Sequence, residues 1–303
     1  MDQATLRSFA PNHEHFIGFD SDGCIFDSME LKHKECFIPN IIKYYHLQPV
    51  SKYAREAAEF VNLYSHWRGI NRFPGLVKVF ELLSDRPEAM ARGIVLPDTT
   101  ALQEFIRTAS ALGNPALEKA VAETGDVSLK QCLEWSKAVN SDIEAMVNGL
   151  PPFPAAREVL EKIHGRADTM VVSATPANAL RREWVEHGID KYVDLIAGQE
   201  LGKKEEQLGL TAHGKYAPGN ILMIGDALGD LKAARAVNAR FFPIVPGFED
   251  KSWQHFRDEI VEEFLGGRYS SNLEIELCEE FEEALPSTPP WKRGERNVHA
   301  VHE

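Results

Sequence analysis

Three side chains that can do chemistry stand directly after short apolar runs of this sequence. Asp20, Ser173 and Asp226 each follow such a run, and the runs are rich in Val and Ile. Runs of this length and composition are typical of buried parallel strands. Because ligands bind outside the carboxyl ends of the strands in an open parallel sheet, the three side chains are expected to meet at one edge.

Two further carboxylates accompany these aspartates. Asp22 follows Asp20 at the i+2 position, which can point to the same side of an extended turn. Asp230 stands about one helical turn after Asp226, at a predicted helix start. Four carboxylates near one point repel each other, and a hard divalent cation with oxygen ligands removes that repulsion. The residues therefore predict a cation site, with Mg²⁺ as the favoured ion.

The elements that must position these residues alternate between strand and helix. Amphipathic stretches with helical spacing occur at 177–187, 204–213 and 228–238, and further strands are predicted at 192–196 and 240–245. Alternation of this kind predicts a right-handed parallel sheet. The predicted fold class is therefore α/β, with a Rossmann-like parallel-sheet core.

Residues 29–149 have a different pattern. Apolar residues recur there at helical spacing, and no convincing strand interrupts them. We therefore expect an all-helical domain, inserted after the first strand, between two parts of the core at 1–28 and 150–250. The Pro-rich stretch 148–154 is expected to return the chain to the core.

The C-terminal part of the chain is expected to add little to the site. Two helices are predicted within 251–285, packed on the core. Pro286, Pro289 and Pro290 then end regular structure. Residues 286–303 are therefore predicted to be a tail that is frayed from Trp291 onward.

Charge and composition limit the partners. Lys plus Arg number 33 and Asp plus Glu number 46, so the formal net charge is −13. This balance disfavours a nucleic-acid backbone or an anionic membrane as the main partner.

No run approaches the roughly 18 apolar residues of a membrane helix. The four cysteines form no C-x-x-C pair, and residues 1–14 contain no apolar run of a signal peptide. A cytoplasmic protein with a small-molecule partner is expected.

The order of these motifs resembles the haloacid dehalogenase superfamily of phosphotransferases. Its first motif, a strand followed by Asp-x-Asp-Gly, matches 20–23, and its second, a strand ending in Ser or Thr, matches Ser173. The fourth, Gly-Asp-x-x-x-Asp, matches 225–230. The third is a lysine that opens a helix. The setting of Lys204 resembles it better than that of Lys203, and both residues are kept as candidates for this lysine. The helical insert resembles the C1-type cap of this superfamily.

The resemblance implies a role for each catalytic residue. Asp20 would be the nucleophile that forms an aspartyl-phosphate. Asp22 would protonate the leaving oxygen and then deprotonate the attacking water. Ser173 would hydrogen-bond a phosphoryl oxygen, and Lys204 would offset the negative charge of Asp20 and the phosphate.

The same resemblance implies the ligands of the metal and of the phosphate. Asp20, the carbonyl of Asp22, and Asp226 would hold Mg²⁺. Asp230 would orient a metal-bound water or the lysine, and it completes the predicted metal site. Backbone N–H groups of the loops that follow the first two strands would cradle the phosphate, and for these we name Gly23 and Ala174.

One loop of the insert is a candidate for substrate recognition. The stretch 67–72 resembles a Gly-x-Ser-Arg cap loop of sugar-phosphate mutases in this superfamily, with Asn71 in place of Ser. Asn71 and Arg72 are therefore predicted to contact substrate. The alternative is a loop that only connects two helices and carries solvated arginines.

These observations predict a Mg²⁺-dependent phosphatase acting on a small phosphorylated metabolite. Superfamily members that dehalogenate or cleave phosphonates lack an acid at the position of Asp22, so the resemblance favours phosphoryl transfer from an ester with an alcohol leaving group. One alternative is a sugar-phosphate mutase of the same fold. Another is a catalytically silent binding protein that keeps the fold.

Overall fold

The computed structural model describes residues 1–293 of the chain. Its sheet has five parallel strands: β1 (Phe16–Phe19), β2 (Asp168–Val172), β3 (Leu195–Ala197), β4 (Ile221–Gly225) and β5 (Arg240–Pro243). The strand order is β3-β2-β1-β4-β5, with every neighbouring pair parallel. The predicted α/β class with a parallel-sheet core is confirmed.

The central strands end in step. Phe19, the last residue of β1, pairs with Val171 of β2 and with Ile224 of β4. All residues of β1, β2 and β4 are buried, as expected for strands covered on both faces by helices. The residues that follow these three strands therefore lie next to one another at the carboxyl edge of the sheet.

Helices and short turns of helix complete this α/β unit, which comprises Met1–Met29 and Gly149–Ala284. They are Gln3–Ser8, Pro154–Ile163, Ala177–Glu186, Asp190–Tyr192, Gln199–Leu201, Lys204–Thr211, Leu228–Ala236, Glu249–His255, Phe256–Ile260, Val261–Leu265 and Ser271–Ala284. Trp184, Trp253 and Phe256 are fully buried between these helices and the sheet. Burial of such large apolar side chains contributes much of the stability of the unit.

The second compact unit is helical. It comprises Glu30–Asn148 together with the segment that begins at Leu285. Its helical elements are Lys32–Phe37, Ile38–Tyr44, Gln48–Val50, Ser51–Asn62, Arg72–Ser84, Pro87–Met90, Thr100–Thr108, Asn114–Thr124, Val127–Met146 and Pro290–Arg293; Ser28–Leu31 leads into the first of them. Within residues 1–293 this unit contains no strand.

One predicted strand is wrong in detail, and one helix is absent from the predicted elements. The strand predicted at 192–196 begins only at Leu195, because the Asp194 carboxylate accepts hydrogen bonds from the N–H (2.8 Å) and hydroxyl (3.1 Å) of Thr169 at that level of the sheet. The helix Pro154–Ile163 begins at the end of the return segment 148–154 and is not among the predicted elements. Proline is compatible with the first turn of a helix because the N–H groups there have no intrahelical partner.

The C-terminal segment is not a frayed tail where the structure describes it. Trp291 is half-buried in the helical unit, with its ring 5.8 Å from the ring of Phe60 and 4.6 Å from the guanidinium of Arg86. Lys292 forms an ion pair with Asp85 at 2.8 Å. The remainder of the predicted tail, residues 294–303, lies outside the described residues.

Replacing Trp291 with Ala should therefore destabilise the helical unit by about 1–3 kcal/mol, because the aromatic contacts of the indole are lost. A Tm lower by about 4 °C or more is expected in thermal unfolding. Lys292→Ala is the matched control, since the exposed ion pair is worth little. An unchanged Tm for Trp291→Ala would contradict the packing of this segment.

Two further findings concern the whole described chain. None of the helices within residues 1–293 combines the length and the apolar character that crossing a membrane requires. The four cysteines are all free thiols, and all are buried.

Candidate functional site

Asp20 lies at the carboxyl edge of the sheet. Its N–H donates to the carbonyl of Ile224 at 2.9 Å, so the ladder between β1 and β4 continues as far as this residue. One carboxylate oxygen, Oδ1, accepts from the N–H of Ser21 at 2.8 Å. The residue is 6% exposed. A carboxylate held in this way is fixed in orientation and shielded from bulk water.

Two more carboxylates lie beside Asp20. Asp226 follows β4, and Asp230 lies in the first turn of the helix Leu228–Ala236. Oxygens of Asp20, Asp226 and Asp230 all lie within 4.8 Å of one another, and all three residues are buried. Gly225 makes this arrangement possible, because a Cβ at that position would stand 2.5 Å from side-chain atoms of Asp230.

Lys204 connects two members of this carboxylate trio. Its Nζ lies 2.8 Å from Oδ2 of Asp20 and 2.6 Å from Oδ1 of Asp230. The second oxygen of Asp230 accepts from the N–H of Ala227 at 3.1 Å. Lys203, the neighbouring candidate, precedes the helix and is exposed. The structure thus brings Lys204 into the cluster predicted from the sequence.

The electrostatics of the cluster follow from burial and charge. Burial raises the pKa of the Asp20 carboxyl, the carboxylates of Asp230 and Asp226 raise it further, and Lys204 opposes both effects. Burial also raises the pKa of Asp230. For Lys204, burial lowers the pKa, but attraction to Asp20 and Asp230 outweighs burial, and the net pKa lies above its usual range. The ammonium is therefore retained.

The cluster has the composition of a site for a hard cation. Three carboxylates and one ammonium leave an excess of negative charge in a buried place, and every ligand atom offered is a carboxylate oxygen. Mg²⁺ prefers this donor set. The residues therefore fit the cation predicted from the sequence, and Asp20, Asp226 and Asp230 are the side chains that would hold it.

Ser173 is the residue that follows β2. Its N–H donates to the carbonyl of Ala197 at 3.1 Å, and its hydroxyl oxygen accepts from the N–H of Thr175 at 3.1 Å. It is 2% exposed, whereas the next residue, Ala174, is exposed. The loop after β2 therefore begins in the sheet core and reaches the surface within one residue.

Asp22 and Gly23 lie in the loop after β1. The Asp22 carboxylate accepts hydrogen bonds from the hydroxyls of Ser28 and Thr175, the latter at 2.7 Å. Gly23 has a φ of 78°, and its N–H donates to the carbonyl of Phe26 at 2.8 Å. The predicted acid–base residue is thus held by two hydroxyls, and the predicted backbone donor at Gly23 is engaged within its own loop.

Asn71 and Arg72, the predicted substrate contacts of the insert, make local contacts in the helical unit. Asn71 caps the helix Arg72–Ser84 by accepting from the N–H of Phe73 at 3.0 Å. The Arg72 guanidinium donates to the Ser136 hydroxyl at 3.0 Å and to Oδ1 of Asn140 at 2.7 Å. Burial lowers the pKa of Arg72 to about 10. A role in substrate recognition stays a prediction for both residues.

Three residues around the site are not among those predicted from the sequence: Ser28, Thr175 and Gln207. Thr175 stands two positions after Ser173, and Gln207 one helical turn after Lys204, so proximity to a motif was the available signal. Their hydrogen bonds run to partners as far as 153 residues away, which no local pattern reveals.

Comparisons with known proteins give matches among solved structures. Neither a family model nor a curated protein matches the sequence. A haloacid dehalogenase-like hydrolase from Streptococcus pneumoniae is 17% identical, with 82% of this chain and 98% of that chain covered and a TM-score of 0.45. For β-phosphoglucomutase from Clostridium difficile the identity is 18%, the coverage 84% and 97%, and the TM-score 0.49.

A third match is a haloacid dehalogenase superfamily hydrolase of subfamily IA from Geobacter sulfurreducens, 15% identical, with 78% and 89% of the two chains covered and a TM-score of 0.38. Because these identities and TM-scores are low, the inferences that follow rest on the strand order and the site residues of this chain and not on the matches. These three solved structures, to which the chain is similar, are thus two haloacid dehalogenase-like hydrolases and a phosphomutase.

Proposed function

We propose that this protein is a Mg²⁺-dependent phosphatase that hydrolyses a small organic phosphate monoester through an aspartyl-phosphate. The observation that carries the proposal is the contact of the Lys204 ammonium with both Asp20 and Asp230, beside Asp226, at the carboxyl edge of the sheet. A buried carboxylate next to a retained ammonium is suited to attack an anionic phosphoryl group, because the ammonium offsets the charge that approaches.

The chain's own residues account for both halves of this reaction. In the first half, an oxygen of Asp20 bonds to phosphorus, the P–O bond to the leaving oxygen breaks, and protonated Asp22 gives that oxygen its proton. In the second half, Asp22 takes a proton from a water as the water oxygen bonds to phosphorus and the bond to Asp20 breaks. Inorganic phosphate leaves, and both aspartates return to their starting states.

Other residues of the site orient and neutralise the phosphoryl group. Ser173 would donate a hydrogen bond from its hydroxyl to a phosphoryl oxygen, and Lys204 would offset the negative charge of Asp20 during attack. The cation, held by Asp20, Asp226, Asp230 and the carbonyl of Asp22, would supply further positive charge to the phosphoryl oxygens. Burial of the cluster strengthens each of these interactions, since the local dielectric is low.

Phosphate release from a panel of metabolite phosphates in the presence of Mg²⁺ tests the proposal. The expected result is release from at least one small monoester and from a generic aryl phosphate. Product analysis on hexose phosphates separates hydrolysis from transfer of the phosphoryl group to another carbon. Absence of release from every monoester, by a folded protein with Mg²⁺, would contradict the proposal.

Replacing Thr175 with Val should selectively slow hydrolysis of alkyl phosphates. Thr175 donates its hydroxyl to Asp22, and alkyl leaving groups need the proton of that acid. We expect kcat/KM, which reports the first half of the reaction, to fall roughly 10-fold for an alkyl phosphate and to change little for an aryl phosphate, whose leaving group is stable as an anion. Thr169→Val, which removes a buried hydroxyl near the other end of β2, is the matched control. Equal losses for both substrates would contradict this role.

A further inference from the structure

Gln207 is a buried amide in the same helix as Lys204. It is fully buried, and its Nε2 lies within hydrogen-bond distance of the carbonyl oxygens of Ser173 (3.0 Å), Gly198 (3.0 Å) and Gly202 (2.9 Å), so its two N–H groups are shared among three acceptors. The opposite orientation of the amide would place its oxygen against three carbonyl oxygens, so the donor group must face them. One side chain therefore joins three separate segments of backbone.

Each of these segments belongs to the candidate site or leads into it. Ser173 begins the loop after β2, Gly198 begins the loop after β3, and Gly202 directly precedes the two lysines. The loops after β2 and β3 are joined a second time, since the N–H of Gln199 donates to the carbonyl of Thr175 at 3.0 Å. Gln207 is thus the side chain through which the Lys204 helix is fastened to both loops.

The bond to Ser173 has a directional consequence. In a trans peptide the carbonyl of one residue and the N–H of the next point in opposite directions. With the Ser173 carbonyl held by Gln207, the N–H of Ala174 points away from the Lys204 helix. Within residues 1–293 this N–H donates to no protein acceptor, and Ala174 is exposed. It is therefore an available donor in a fixed direction, unlike the N–H of Gly23.

We propose that Gln207 is a positioning residue for phosphate: it orients the Ser173–Ala174 peptide, so that the Ala174 N–H faces the phosphoryl group, and holds Lys204 in register with Asp20. The inference rests on the proposed function. Gln207 touches neither the substrate nor the reacting atoms, and it acts only through the three carbonyls. Donors fixed before substrate arrives need no reorganisation during the reaction, which is where such a residue contributes to rate.

Replacing Gln207 with Met tests this inference, because Met keeps the length of the side chain and removes both N–H donors. With an aryl phosphate as substrate, we expect kcat to fall roughly 10–100-fold, the cost of a small misplacement of catalytic groups. The inhibition constant of inorganic phosphate should rise by about 10-fold, since one hydrogen bond to an anion is weakened. A purely structural role would not move that constant in a protein assayed well below its Tm.

The matched control is Ile163→Ala, which removes a fully buried side chain from the helix Pro154–Ile163 of the same unit. Both variants should have a lower Tm, and only Gln207→Met should lose rate and phosphate affinity. Gln207→Asn, which keeps the amide on a shorter side chain, takes the same test if the Met variant does not fold. If the rate and phosphate affinity of Gln207→Met match those of Ile163→Ala, the positioning role of Gln207 is overturned and the proposed function is not affected. A wild-type protein that neither hydrolyses the ester nor binds inorganic phosphate would overturn the proposed function as well.

Discussion

Asp20→Asn should abolish turnover while the protein stays folded. The amide of Asn is a poor nucleophile, so the covalent step is lost, and we expect kcat to fall by roughly 10³-fold or more. The side chain keeps its size, and its carbonyl oxygen can still accept from the N–H of Ser21. The measurement is phosphate release from an aryl phosphate, with circular dichroism and thermal unfolding as checks on the fold.

The matched control for this variant is Asp250→Asn, an equal change at an exposed position of the same unit. It should have the rate of the wild type. A purified, folded Asp20→Asn protein that keeps more than about a tenth of the wild-type rate would remove Asp20 from the role of nucleophile.

Removal of the divalent cation should have an effect of similar size. Asp20, Asp226 and Asp230 lie within 4.8 Å of one another, and Lys204 supplies only one positive charge to balance them. Excess chelator should therefore stop phosphate release, and added Mg²⁺ should restore it. Asp226→Ala should give the same loss, and added Mg²⁺ should not restore it, because a ligand is missing.

The two arms of this experiment separate a metal effect from a folding effect. Chelation leaves the covalent structure unchanged, so the loss and its reversal are measured on one protein sample. Asp226→Ala is compared with Asp190→Ala, a change in the short turn before β3 that lies outside the carboxylate trio. Undiminished activity in excess chelator would rule out the assignment of this cluster as a metal site.

The carboxyl edge of the sheet could be predicted from the sequence because its signal is local. Asp20, Ser173 and Asp226 each follow a run of buried residues, and the end of a strand is a pattern of a few positions. Parallel pairing then aligns these ends at one level of the sheet. The contact of Lys204 with Asp20 needed one further condition, that the helix begins at this lysine, and the sequence alone left Lys203 as an alternative.

Contacts that depend on tertiary structure could not be predicted in this way. Gln207 hydrogen-bonds carbonyl groups, which every residue carries, so its partners leave no trace in the sequence. Arg72 resembled a solvated or substrate-binding arginine, yet its partners in the helical unit, Ser136 and Asn140, lie more than sixty residues away. Such pairs are defined by packing between elements and not by periodicity within one.

Two prolines that the sequence pattern assigns to a connection or to the end of regular structure instead begin helices. The stretch 148–154 is predicted as a connection only, although a proline in the first turn favours a helix that follows it. Pro290 is predicted to end regular structure, but in the structure it begins the short helix that carries Trp291. In both places the burial of the residues that follow, which composition does not reveal, decides the outcome.

The proposed mechanism requires a phosphoryl group bound covalently to Asp20. Asp22→Asn should let an aryl phosphate react, since its leaving group needs no proton, and should slow the attack of water on the intermediate. Acid quenching of this variant with an aryl phosphate and Mg²⁺, followed by mass spectrometry of its peptides, measures that intermediate. We expect one phosphoryl group on the peptide that contains Asp20, and none in the Asp20→Asn, Asp22→Asn double variant. A phosphoryl group on another residue, or steady phosphate release with no phosphorylated peptide, would contradict the aspartyl-phosphate mechanism.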